Sequence, residues 1–264
     1  VLPADLAASP ILLAKAAELG VKTLTFGTAE TADFRLLSVK ICDTATVAQA
    51  SRHGKPLLYK VLSPGRHFAA NGLGALAVAD ALGLDPMLSA TDLGRWSPPA
   101  GRGMRETITL DLVEETSFDL IDDAYNANPT SMAAALDVLL AAQPKDGTGR
   151  VGRGRRIAIL GDMLELGPTE IDLHKAIAAH PGLEAIDIIH CVGPRMRMLW
   201  YALPRAQRGE WVEAAPQLTA KARSLVDAGD VVLVKGSKGI KVSLIVDALR
   251  KLGQAAPGAQ QGEA

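Results

Sequence analysis

Aromatic residues make up only 4% of this 264-residue chain, and cysteine occurs just twice. Sequence-tolerant binding of single-stranded nucleic acid relies on stacking rings, so their scarcity argues against it. A formal net charge of −1 leaves no overall basic field to draw in nucleic acid or an anionic membrane. No apolar run reaches the roughly 18 residues that a membrane-spanning helix requires. Val1-Leu2-Pro3-Ala4-Asp5 lacks the charged head and apolar body of a signal peptide. Cys42 and Cys191 are far apart, each in an apolar, strand-like setting. They read as two buried free thiols of a reducing compartment rather than a disulfide, and no Cys/His group has zinc spacing. The chain opens without methionine, inside what reads as a folded segment, which points to a fragment.

What is present suits globular cores. Hydrophobic residues are 48% and charged residues 22%, and the length allows one or two domains. Helical spacing of apolar residues runs over 5–19 and ends at Gly20. Strands are expected over 21–26, 34–41, 44–50 and 56–62, with a turn at His53-Gly54-Lys55. A helix over 68–82, a shorter one from Asp85-Pro86, a Pro/Gly loop over 97–101 and a strand over 107–113 follow. From Asp119 the pattern becomes a regular strand–helix alternation. Strands are expected over 119–122, 156–160, 186–192 and 230–234, and helices over 129–142, 169–179, 195–203, 215–228 and 241–252. Ile157-Ala158-Ile159-Leu160 and Val231-Val232-Leu233-Val234 are unbroken apolar runs, as in strands covered on both faces. The expectation is an α/β chain whose second part is a mostly parallel, doubly wound sheet, with the domain boundary between 118 and 119 and a disordered tail over 254–264.

Four segments carry candidate chemistry. Pro64-Gly65-Arg66-His67 leads into a helix, with Asn71 expected in its first turn, where free N–H groups attract polar or anionic groups. Asp122-Asp123-Ala124-Tyr125-Asn126-Ala127-Asn128-Pro129 sits at a strand-to-helix corner, with Asn128 suited to cap the helix and Pro129 to open it. Gly161-Asp162-Met163-Leu164-Glu165-Leu166-Gly167 follows a strand, at the end of a sheet where ligands bind in such folds. Val234-Lys235-Gly236-Ser237-Lys238-Gly239 also follows a strand, and Lys235 or Lys238 can hold a carboxylate. Each has a plain alternative: a capped turn, a solvated acidic loop or a structural glycine turn. Gly147-Thr148-Gly149-Arg150-Val151-Gly152 matches G-x-G-x-x-G formally, but it follows a helix and precedes a strand, so it reads as a mobile basic surface loop and not a dinucleotide site.

Taken together and in this order, the segments resemble the Mur ligases, over nearly the whole chain. The forms Asp-Asp-x-Tyr-Asn-Ala-Asn and Gly-Asp-Met-x-Glu-Leu-Gly are specific to the branch of that family that adds D-alanyl-D-alanine. The resemblance implies an ATP-dependent amide ligase of peptidoglycan precursor synthesis, joining D-alanyl-D-alanine to UDP-N-acetylmuramoyl-tripeptide through an acyl phosphate, with ATP and Mg2+. It implies a cytoplasmic monomer that is neither inserted in a membrane nor bound to nucleic acid. Residues 1–118 would be the last part of the central ATP-binding domain, and 119–264 a Rossmann-like C-terminal domain. Asn71 is then the adenine ligand, with His67 beside it, although many members carry Asn directly after the His, where this chain has Phe68. Arg102 matches the nucleotide-contacting Arg of a Pro-Gly-Arg, here Ala100-Gly101-Arg102, and Asp122 matches the carboxylate that accepts from the ribose hydroxyls. Tyr125, Asn126 and Asn128 are expected to line the substrate cleft, Asp162 and Glu165 to meet the ammonium of the incoming dipeptide, and Lys235 its carboxylate.

The Walker A loop, the magnesium-binding Glu, the carbamylated Lys and the UDP-binding domain of the family cannot be found between Val1 and Ala264, and no metal ligands are expected in this chain. Two other readings stay open. One is a sibling amide ligase, although siblings usually carry Asp-Tyr-Ala-His where this chain has Asp122-Asp123-Ala124-Tyr125. The other is a non-catalytic nucleotide- or peptide-binding module.

Overall fold

A computed structural model describes residues 1–254. The chain divides into two compact units, Val1–Pro98 and the part from Pro99 onward. No helix among the described residues is long and apolar enough to cross a membrane.

The first unit contains β1 (Leu2–Pro3), α1 (Ser9–Glu18), β2 (Thr25–Gly27), β3 (Phe34–Ile41), β4 (Thr46–Arg52), β5 (Lys55–Val61), α2 (Arg66–Ala81) and α3 (Pro86–Leu93). The five strands form one sheet in sequence order. β1, β2 and β3 run parallel, while β3, β4 and β5 form an antiparallel meander. The strands expected over 34–41 and 56–62 form within a residue of those limits, and His53 and Gly54 make the hairpin turn with positive φ. Phe34, Ala48, Ala50, Leu57, Tyr59 and Val61 from the sheet pack against Ala69, Leu73, Leu76 and Ala77 of α2.

The second unit contains β6 (Met104–Asp111), β7 (Thr116–Asp123), α4 (Pro129–Ala141), β8 (Arg156–Gly161), α5 (Glu170–Ala176), β9 (Ile188–Val192), α6 (Met196–Ala202), β10 (Arg208–Val212), α7 (Ala215–Thr219), α8 (Ala222–Leu225), β11 (Val231–Lys235) and α9 (Ser243–Arg250). Its six-stranded sheet has the order β10-β9-β8-β11-β7-β6. Every pairing is parallel except that of β6 with β7. Side chains alternate across a strand, and here both faces are apolar. Ala158 and Leu160 join one buried cluster with α4 and α6. Ile157 and Ile159 join the other with α7, α8 and α9.

Several expectations are corrected. The division of the chain falls between Pro98 and Pro99, not at 118/119. The reason is β6, which pairs with β7 along its length and so belongs to the second sheet. Edge strand β10 has no counterpart among the expected strands. Its sequence Arg-Gly-Glu-Trp-Val is short and largely polar, and pairing with β9 creates it. The single helix expected over 215–228 is two short ones. Gln254, assigned to a disordered tail, donates its N–H to Thr109 O at 2.8 Å, and the rest of that tail lies outside the described residues. Both cysteines are free, but only Cys191 is fully buried, and burial pushes its thiol up. In the basic loop before β8, Arg150 pairs with Asp227, Arg153 with Asp187 and Arg155 with Asp230.

Candidate functional site

In the first unit, the turn from β5 into α2 is held by Thr46. Its hydroxyl accepts from Gly65 N–H at 2.8 Å and donates to Ser63 O at 2.8 Å, and the side chain is wholly buried. Gly65 has φ 143°, which only glycine adopts comfortably, so α2 can start abruptly at Arg66. His67 is on the first turn and half-buried, with its ring 4.1 Å from that of Phe68. Asn71 is one turn further on, exposed and on the same face as His67, rather than in the first turn itself.

In the second unit, the carboxyl ends of β7, β8 and β11 bring three of the four candidate segments together. Asp122 and Asp123 close β7 and point to opposite faces of the sheet. Asp122 is 4% exposed. Its Oδ2 accepts from Gly101 N–H at 3.1 Å and from the Arg250 guanidinium at 2.8 Å, and Oδ1 takes one longer bond, 3.3 Å, from Ala124 N–H. A carboxylate has about four lone-pair sites, so Oδ1 keeps accepting capacity. The Gly101–Gly103 loop is fixed by two further backbone bonds: Tyr125 N–H donates to Gly101 O at 3.0 Å, and Gly103 N–H to Asp122 O at 2.8 Å. This places the exposed Arg102 guanidinium 4.0 Å from the centroid of the Tyr125 ring. Lys238 Nζ lies 5.8 Å from the same ring. An exposed tyrosine thus has two exposed cations within 6 Å of its ring centroid, a setting for stacked or anionic groups.

Lys235 is not the exposed cation of its loop. It is 2% exposed, and its ammonium donates to Asp123 Oδ2 at 2.7 Å and to Asn126 O at 2.9 Å. Burial raises the Asp123 carboxyl above the usual range, and the Lys235 ammonium opposes that shift. Lys235 thus uses two of its three N–H donors inside the fold, on Asp123 and Asn126, and Lys238 is the lysine of this loop that faces solvent.

Asp162 is likewise turned into the fold. It is wholly buried, and its carboxylate accepts from Met196 N–H at 2.7 Å and Arg195 N–H at 3.2 Å, at the start of α6. Its carboxylate is turned inward onto the first N–H groups of α6. Gly193 makes room for it, because a Cβ there would lie 2.4 Å from Asp162 Cγ. Glu165 is the exposed acid of that loop, in a left-handed conformation with φ 63°. Asn126 is exposed, and its side-chain oxygen accepts from Ala127 N–H. Asn128 accepts from Ser131 N–H at 2.8 Å in a capping box, with Pro129 at the first helical position, so its carbonyl is committed to α4.

Two residues that the sequence did not single out hold these loops together. Ser237 donates to Ala127 O and accepts from Leu164 N–H at 2.9 Å, which joins the loops after β7, β8 and β11. His174, wholly buried, accepts from Met163 N–H through Nε2, and its Nδ1 lies 2.6 Å from Glu170 O. These partners select the neutral tautomer with the proton on Nδ1. Gly161 and Gly236 allow β8 and β11 to close, since a Cβ on Gly236 would come 3.0 Å from Gly161 Cα. A serine beside a lysine motif was visible in the sequence; nothing in it pointed to His174.

Residues 110–238 match the family model for the Mur ligase, glutamate ligase domain. A relative from Rickettsia prowazekii, named UDP-N-acetylmuramoyl-tripeptide--D-alanyl-D-alanine ligase, is 30% identical over 182 residues, covering 69% of this chain and 37% of the relative. The Bacillus subtilis protein of the same name is 28% identical over 231 residues, covering 85% of this chain and 46% of its own length. The chain thus spans less than half the length of these curated relatives. The crystal structure of MurF ligase from Thermotoga maritima in complex with ADP shares the fold, with a TM-score of 0.70 at 20% identity, covering 93% of this chain and 52% of that one. By its family match, its named relatives and the fold around these loops, the chain belongs to the Mur ligase family.

Proposed function

We propose that this chain is the C-terminal portion of an ATP-dependent amide ligase that adds D-alanyl-D-alanine to UDP-N-acetylmuramoyl-tripeptide in the cytoplasm. The observation that carries the reading is the exposed Tyr125 ring with Arg102 and Lys238 both close to it, at the carboxyl ends of the parallel strands. The names of the curated relatives supply the substrates.

In this reading ATP phosphorylates the tripeptide carboxylate, and the free amine of the dipeptide attacks the acyl phosphate, releasing phosphate. The chain's own residues bind and orient. Asp122 Oδ1 accepts a ribose hydroxyl, Arg102 meets the nucleotide, and Asn71 and His67 act on the adenine side. Lys238 takes the dipeptide carboxylate in place of Lys235, and Glu165 receives its ammonium. Tyr125 and Asn126 line the substrate, and Asn128 shapes the helix start beneath them. Positioning and charge neutralisation of this kind account for most of the catalysis in phosphoryl and acyl transfer. Among the described residues no group of three or more His, Cys, Asp or Glu side chains is placed to hold a metal, so no step is assigned to Mg2+ here.

The test is phosphate release from ATP by the full-length gene product with UDP-N-acetylmuramoyl-tripeptide, comparing D-alanyl-D-alanine with single amino acids. Release that needs the dipeptide supports the reading. Release with a single amino acid moves the protein to a sibling ligase. Absence of release with every acceptor leaves a binding module.

A further inference from the structure

Arg250 lies outside the segment matched by the family model, at the last position of α9, and is separated by 128 residues from the carboxylate it touches. Its guanidinium is bidentate in effect. Nε donates to Glu106 Oε1 at 2.7 Å on β6, and one terminal nitrogen donates to Asp122 Oδ2 at 2.8 Å at the end of β7. The same Asp122 oxygen receives Gly101 N–H, while the Asp122 carbonyl receives Gly103 N–H. Arg102 stands between those two anchored residues and stacks on Tyr125. A chain of charge-assisted hydrogen bonds therefore runs from the C-terminal helix, through a buried carboxylate, to the loop that aims the exposed guanidinium.

We infer that Arg250 is a positioning residue: by fixing the Asp122 carboxylate, it holds the Gly101–Gly103 loop in the one conformation that presents Arg102 over the Tyr125 ring. Arginine suits the position because a rigid fork can bridge two carboxylates on neighbouring strands, whereas a lysine makes a single point contact. Removing the cation leaves Asp122 buried beside Glu106 without its partner, and the carboxylate then has no fixed direction in which to hold Gly101 N–H. The effect should reach the Arg102 loop first, because the other bonds of Asp122 are local to its own strand end.

The inference rests on the proposed ligase only for its kinetic arm, and a second arm is independent of it. In the full-length gene product, Arg250→Gln should raise KM for ATP about tenfold, the worth of one charge-assisted hydrogen bond, with kcat within about twofold. Arg250→Lys should recover part of the loss. In the 264-residue chain, amide hydrogen exchange at residues 101–103 should quicken in Arg250→Gln, while exchange in β8 and β11 stays at the wild-type rate. Unchanged exchange at 101–103 would overturn the inference, as would faster exchange spread through the whole sheet, which marks a purely structural role. A wild-type protein that releases no phosphate sinks the ligase reading, and the exchange arm still decides the role of Arg250.

Discussion

Lys235 and Asp123 form an ion pair, 2.7 Å apart, at the carboxyl ends of adjacent parallel strands, with the lysine 2% exposed. Losing one member of such a pair leaves a buried charge alone, which costs more than the pair contributes as a whole. Lys235→Met should destabilise the second unit by about 3–5 kcal/mol, read from urea unfolding. Adding Asp123→Asn should cost less than the two single changes together. Additive losses would mean that the two side chains do not interact.

Lys238 gives the opposite expectation. It is exposed, and its partner in the fold is the Tyr125 ring, so Lys238→Ala should leave the unfolding midpoint nearly unchanged. In the full-length gene product the same substitution should raise KM for the dipeptide by about tenfold, the loss of one charged contact. An unchanged KM would remove Lys238 from the substrate site.

Gly193 and Gly167 separate backbone strain from collision. Both have positive φ, 110° and 71°, but Gly167 faces open space while a Cβ at Gly193 meets the Asp162 carboxylate. Gly167→Ala should cost about 1–2 kcal/mol. Gly193→Ala should cost at least about 2 kcal/mol more, because the capping carboxylate of α6 must move as well. Equal losses in thermal or urea unfolding would count against the contact.

His190 should make stability fall in mild acid. Burial holds its pKa down at about 4, against 6.5 for an exposed histidine. Between those values the unfolded chain binds a proton that the folded chain excludes, so the contribution is complete above about pH 6.5 and is lost as pH falls toward 4. The full span amounts to on the order of 3 kcal/mol. His190→Asn keeps an acceptor for Glu210 N–H, which bonds to Nδ1 in the wild type, and should flatten the unfolding free energy across this window. A wild type that is already flat would contradict the buried neutral histidine.

The 264-residue chain by itself should show no ATP turnover with tripeptide and dipeptide present, since no Gly-x-x-x-x-Gly-Lys-Ser/Thr run occurs in it. Measurable turnover would disprove this.

Much of the second sheet was legible because burial on both faces writes itself as unbroken apolar runs: Ile157–Leu160 and Val231–Val234 form strands within a residue of their expected limits. Asn128 and Pro129 announced the start of α4, because capping is a local hydrogen-bonding requirement. The limits of sequence reading appear at Asp162 and Lys235. Both stand in ligand-like motifs, yet each is turned inward, Asp162 by the start of α6 and Lys235 by Asp123 and Asn126 O. Strand β10 and the affiliation of β6 with the second sheet were equally hidden, since each depends on a neighbouring strand.

The sequence by itself determined the strand–helix alternation, the family and the loops at which chemistry gathers, because periodicity, capping and motif spacing are properties of neighbouring residues. Only the tertiary structure decided which of two lysines and which of two acids face solvent. It also decided that Arg250, 128 residues away, holds Asp122, and that Ser237 ties three loops together. Burial and hydrogen-bond partners at such separations arise when parallel strands bring their carboxyl ends side by side, and no local pattern encodes which side chains then meet.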